Sequence, residues 1–176
     1  MTSRLASIFV SILFILTASS CKKGEIPFIR YTANCPINAK IDGTLFSSES
    51  YTSVLGQTSS TLTLYPEYFY FYFQRNLTAG KNAVMLTISA HEDGSFELNR
   101  KYPLSTKSEN SYGQVIFTQN GESYEFVSTE GYFVFTEYQI IGGTEVLSGH
   151  FEFTAVDLDK NLTINITGGT FENLVG

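Results

Sequence analysis

Residues 65–75 read Tyr-Pro-Glu-Tyr-Phe-Tyr-Phe-Tyr-Phe-Gln-Arg. In a strand, alternate residues face opposite sides. Phe69, Phe71 and Phe73 then share one face, and Tyr68, Tyr70, Tyr72 and Gln74 share the other. Three phenylalanines in register demand a core. The tyrosines carry apolar bodies with polar tips, which suits a half-exposed sheet surface. The segment predicts a strand with one packed face and one wet face.

The chain on either side follows the same rule. Ile37–Ile41 and Thr44–Ser47 flank Asp42-Gly43, a hairpin signal. Ser60–Tyr65 precedes the aromatic strand, and Ala83–Ala90 follows it with Val84, Leu86 and Ile88 on one face. His91-Glu92-Asp93-Gly94 reads as a turn into a strand at Phe96–Lys101. A polar loop at Ser105–Ser111 leads to Gln114–Thr118, and Asn120-Gly121 turns the chain into Ser123–Val127. Tyr132–Ile141, Glu145–Val156 and Leu162–Thr167 complete the series, separated by Gly142-Gly143 and the loop DLDKN. No stretch offers twelve residues of helical period. Many short strands with tight turns predict an all-β, antiparallel, two-sheet β-sandwich over 37–176, with a meander β-barrel as the alternative.

The tyrosine face is the most specific candidate for function. One reading makes Tyr68, Tyr70, Tyr72 and Gln74 a platform on which a sugar ring or peptide stacks. The other has the tyrosines covered by a neighbouring loop. The chain has no Trp, the residue with the largest stacking face. Other chemistry finds little support. Asp157, Asp159 and Asn161 open like a calcium loop, but Leu162 and Gly168 stand where that loop needs Gly and Glu. His91 and His150 lie in a turn and a strand, with no spacing that suits a metal. No serine sits in a nucleophile motif. An envelope hydrolase built on two carboxylates is the least favoured reading, since nothing marks a pair. No catalytic residue, metal or cofactor is expected. Asn76, Asn161 and Asn165 each begin an N-glycosylation triplet, a pattern common by chance.

The N-terminus addresses location. Residues 1–20 carry Arg4, an apolar run from Leu5 to Ala18, and then small residues. The run is too short to span a bilayer, which needs about 20 residues, and fits a secretory signal. Leu16-Thr17-Ala18-Ser19-Ser20-Cys21 resembles a bacterial lipobox. In that class Cys21 becomes an acylated N-terminus, and two or more chains anchor a protein stably. A plain signal peptide beside an incidental cysteine is the alternative. Residues 21–36, with two prolines and no periodicity, read as a tether. Cys35 is expected to be a small buried thiol, or a disulfide partner if Cys21 is not acylated. Without Arg4, ten basic residues face 17 acidic ones, a net −7, and that balance argues against nucleic acid.

The ending VLSGHFEFTAVDLDKNLTINITGGTFENL, residues 146–174, resembles that of a family of small Bacteroidetes lipoproteins with a domain of unknown function. Its pattern S-G-x-F-x-F-x-A falls on Ser148, Gly149, Phe151, Phe153 and Ala155. The following I-T-x-G-x-F falls on Ile166, Thr167, Gly169 and Phe171. AKIDGTLFSS, residues 39–48, is similar to the domain's opening, and GYFVFTEYQ to its penultimate hairpin. The resemblance implies an all-β, membrane-anchored envelope protein and lends no catalytic residue. Gly149 and Gly169 are expected at bulges or close backbone approaches. The reading is a monomeric domain held at the outer membrane by its lipid, non-enzymatic, binding a glycan or an envelope protein, with its orientation across that membrane open.

Overall fold

A computed structural model describes residues 37–48, 59–107 and 110–175. The signal at 1–20, Cys21, the tether and Cys35 lie outside the described residues. Ten strands form one antiparallel sheet among them. They are β1 (Ile37–Ile41), β2 (Thr44–Ser47), β3 (Ser59–Leu64), β4 (Tyr68–Ala79), β5 (Asn82–Asp93), β6 (Tyr102–Pro103), β7 (Tyr112–Gln119), β8 (Glu122–Ile141), β9 (Thr144–Asp157) and β10 (Leu162–Val175). The order is β2-β1-β10-β9-β8-β7-β5-β4-β3, with β6 on β8. β2 also pairs with β4 at Ser47 and Thr78, which brings the two ends of the series together.

Most connections are tight because the turn residues allow it. Asn120 and Gly121 have φ of 54° and 84°, the left-handed pair a two-residue hairpin needs. Asp42-Gly43, Gly80-Lys81, Asn120-Gly121 and residues 158–161 all turn at one end of the sheet, here the hairpin end. β1 begins on the opposite side, where Ile37 pairs with Phe171 and Ile41 with Ile166. The chain therefore enters the sheet from the far end.

Three expectations fail, the first being the turn at His91-Glu92-Asp93-Gly94, because residues 91–93 continue β5 in pairing with β4. Phe96–Lys101 is not a strand: the chain from Gly94 to Lys101 runs irregularly across the far end. Phe96 packs on Phe69, Phe135 and Tyr138 at centroid distances of 5.7, 4.9 and 5.4 Å. The Tyr102 hydroxyl donates to the Glu97 carbonyl at 3.1 Å and accepts from the Glu97 N–H at 2.7 Å. Covering the open end of the core outweighs the local alternation. The segments expected at Ser123–Val127 and Tyr132–Ile141 are one 20-residue strand, with irregularities at Ser128/Glu130 and Phe135/Glu137.

The core is aromatic. Phe69, Phe71, Phe73, Phe126, Phe133, Phe135, Phe151 and Phe171 are essentially inaccessible. The Phe71 ring of β4 meets Phe133 and Phe135 of β8 at 5.7 and 4.8 Å, and Phe171 of β10 at 5.9 Å. Strands several places apart in the sheet thus face each other, and edge-on ring pairs add about 0.5–1.5 kcal/mol each beyond area burial. Glycines make room for the rings. A Cβ on Gly149 would lie 2.1 Å from the Val134 carbonyl oxygen and 2.4 Å from the Phe171 ring. One on Gly169 would lie 2.4 Å from the Phe151 ring. Both are close approaches, as the alternation of the ending predicts.

Candidate functional site

The expected alternation on β4 is present: Phe69, Phe71 and Phe73 are buried, while Tyr68, Tyr70, Tyr72 and Gln74 point outward. Their neighbours in register are Thr63 and Thr61 of β3 beside Tyr70 and Tyr72, and His91 and Ser89 of β5 on the other side. The four residues do not form one uniform platform. The Tyr72 hydroxyl donates to Gln74 Oε1 at 2.5 Å, and the Gln74 amide lies against the Met85 sulfur. That half of the face is tied to itself. Ser89, between Tyr72 and Tyr112 in register, is nearly covered.

The open half lies toward the far end and includes a residue the strand argument did not single out. Tyr65, in the turn before β4, stacks on Tyr68 at 4.3 Å with planes 20° apart. The turn is closed by the Tyr65 N–H donating to the Tyr68 carbonyl at 2.9 Å. Pro66 fixes its φ, so the i, i+3 rings meet. Tyr68 also lies 5.1 Å from the His91 ring. Partial burial, with Tyr65 beside it, raises the Tyr68 hydroxyl above its ordinary pKa. Tyr65 is 46% exposed and Tyr70 37%. The exposed aromatic surface is Tyr65, Tyr68 and Tyr70 with His91 at its border.

A second concavity sits at the hairpin end. It is an open bowl of about 670 Å³ whose inner wall includes Phe46, Val84, Val115 and Ile164, all buried side chains. Phe117 joins the wall and continues into a ring stack with Tyr124 at 4.7 Å and Phe126 at 5.7 Å. Its lining residues come from six strands and two turns, so no local motif could announce it.

The DLDKN loop is a capped turn. Asp157 is buried, and its Oδ1 accepts from the N–H groups of Asp159 and Lys160, each at 3.1 Å. Its Oδ2 accepts from the Glu125 N–H at 3.3 Å. Those oxygens serve the backbone. At the same turn Lys160 pairs with Glu122 at 3.0 Å and lies 4.2 Å over the Tyr124 ring. The hydrogen-bonded ammonium lowers the Glu122 pKa, and Glu122 raises that of Lys160. His91 and His150 are on separate strands, β5 and β9, and each sits beside a tyrosine, His150 being 6.2 Å from Tyr132. Among the described residues no His/Cys/Asp/Glu group has the geometry to hold a metal. Compared with protein-family models, curated proteins and solved structures, the chain matches none.

Proposed function

We propose that this chain is an exported envelope protein held at the outer membrane by acyl chains on Cys21, and that it binds a ring-bearing ligand, an envelope glycan first, without transforming it. The resemblance of residues 146–174 to the small lipoproteins belongs to the same proposal. The observation that carries the binding reading is the Tyr65–Tyr68 stack beside exposed Tyr70, on the outside of a sheet whose interior is packed with phenylalanine. Rings of the chain's own core already fill the inner face of β4, so a ligand ring meets β4 on its tyrosine face. Tyrosines pre-stacked on one another lose little freedom on binding and offer flat faces with hydroxyl tips.

The architecture that suits this role is a closed meander, folded so that β2 meets β4, in preference to two separate sheets. The pairing of Ser47 with Thr78 and the ring contacts between β4 and β10 support it.

The test is an NMR titration with oligosaccharides released from envelope polysaccharide, following tyrosine ring resonances. Shifts confined to Tyr65, Tyr68 and Tyr70, weakened about ten-fold by Tyr70→Ala, are expected, a loss of about 1.4 kcal/mol. No shift at millimolar sugar would sink the glycan reading, and so would shifts that survive removal of both Tyr65 and Tyr70.

A further inference from the structure

We infer that the bowl at the hairpin end is a second binding site, independent of the tyrosine surface, and that it takes a single-chain anionic amphiphile of the fatty-acid type. Three observations set that chemistry. The first is the contrast between wall and rim. The buried side chains of the wall, Phe46, Val84, Val115 and Ile164, are hydrocarbon. The polar lining residues Thr44, Asn82 and Gln119 are exposed at the rim. A hydroxyl or amide pushed against that buried wall would lose water and meet no polar side chain among Phe46, Val84, Val115 and Ile164, which is unfavourable. The inserted part of the ligand must be hydrocarbon.

The second observation is the charge at the rim. Two charged residues line the bowl, Asp42 and Lys81. Asp42 is committed, because its Oδ1 accepts from the Asn165 N–H at 2.8 Å. Lys81, in the β4–β5 turn, is exposed and forms no ion pair with another described residue. Nearby Lys160 is already held by Glu122 and Tyr124. Asp42 keeps its charge but is turned to the Asn165 N–H, so Lys81 is the charged lining residue left to meet an anionic head.

The third observation is that the bowl is blind. Leu77 and Leu86, next in sequence to the lining residues Asn76 and Met85, are fully buried, and Phe96 and Tyr102 cover the far end of the core. A volume of about 670 Å³, part of it open, falls within the range of small-molecule sites. It suits one chain with its head outside. The bowl also opens away from the side where the chain enters at Ile37.

The test uses the full chain in its own membranes. Membranes are irradiated with a diazirine analogue of dodecanoate, with dodecanoate or uncharged dodecanol as competitor, and adducts are mapped by mass spectrometry. Adducts on the segments carrying Phe46, Val84 and Phe117 are expected, displaced by dodecanoate more than by dodecanol. Lys81→Glu should reduce them at least five-fold, the factor that about 1 kcal/mol gives. Lys101→Glu at the far end, and Tyr70→Ala, should leave them unchanged. Adducts spread over outward-facing residues, or equal labelling of wild type and Lys81→Glu, would overturn the assignment. No glycan binding by the wild-type chain, with bowl labelling intact, would fail the tyrosine reading alone.

Discussion

Replacing Gly149 with Ala tests the packing on which the rest depends. The added methyl would sit 2.1 Å from the Val134 carbonyl oxygen, a backbone atom of the adjacent strand, and 2.4 Å from the tip of the Phe171 ring. The ring cannot turn away easily, because Phe71, Phe73 and Phe135 hold it at centroid distances of 5.9, 5.7 and 6.1 Å. The carbonyl can retreat only if β8 and β9 separate locally. Overpacking of this kind costs about 1–3 kcal/mol, and each ladder hydrogen bond weakened adds about 0.5–1.5 kcal/mol. The expected loss is about 3–4 kcal/mol, a large share of the 5–15 kcal/mol typical of a domain. Urea unfolding followed by near-ultraviolet circular dichroism measures it. Gly121→Ala is the control: its methyl meets nothing within 4 Å, but its φ of 84° is unfavourable, so about 1 kcal/mol is expected. Adding Phe171→Leu to Gly149→Ala should recover part of the loss, since it relieves the ring contact and not the carbonyl. If Gly149→Ala lies within about 0.5 kcal/mol of wild type, where ordinary surface changes fall, the close approach of β8 and β9 at Gly149 is wrong.

Phe71→Ala should cost about 3–5 kcal/mol in the same unfolding assay, because that fully buried ring touches four other phenylalanines and leaves a cavity. Asp157→Ala should cost about 2 kcal/mol by leaving three backbone N–H groups without their acceptor, whereas Tyr70→Ala should be neutral within about 0.5 kcal/mol. Glu122 should titrate below its ordinary value because Lys160 donates to it. A lowered folded-state pKa means the pair's contribution is present above the unfolded value and lost as pH falls through the folded one. Carbon-13 NMR of the Glu122 carboxyl, with Lys160→Ala returning it toward normal, checks the sign.

The parts of the fold legible in the sequence are those set by alternation and turn chemistry. β1, β2 and the turn between them follow from five, four and two residues, and the buried face of β4 from its three phenylalanines. β8 was harder, because Ser128-Thr129-Glu130-Gly131 has the composition of a loop. In the sheet it is an irregular stretch where Gly131, at φ 149°, lies against Phe153. Phe96 alternates as a strand residue would, yet its role depends on the open end of a core assembled from β4 and β8. The tyrosine face was half legible. Period two put Tyr68, Tyr70, Tyr72 and Gln74 on one side. It could not show that Gln74 ties up Tyr72, or that the Pro66 turn brings Tyr65 onto Tyr68. The bowl was not legible at all, since Phe46, Val84, Val115 and Ile164 converge only through long-range pairing.

The central claim is that a domain built this way is held at a membrane through Cys21. The most direct measurement is metabolic labelling of the host with an alkyne palmitate analogue, comparing wild type with Cys21→Ser. The account predicts a labelled, membrane-bound wild-type chain and no label on the variant. An unlabelled wild-type chain, or equal label on both, would contradict it.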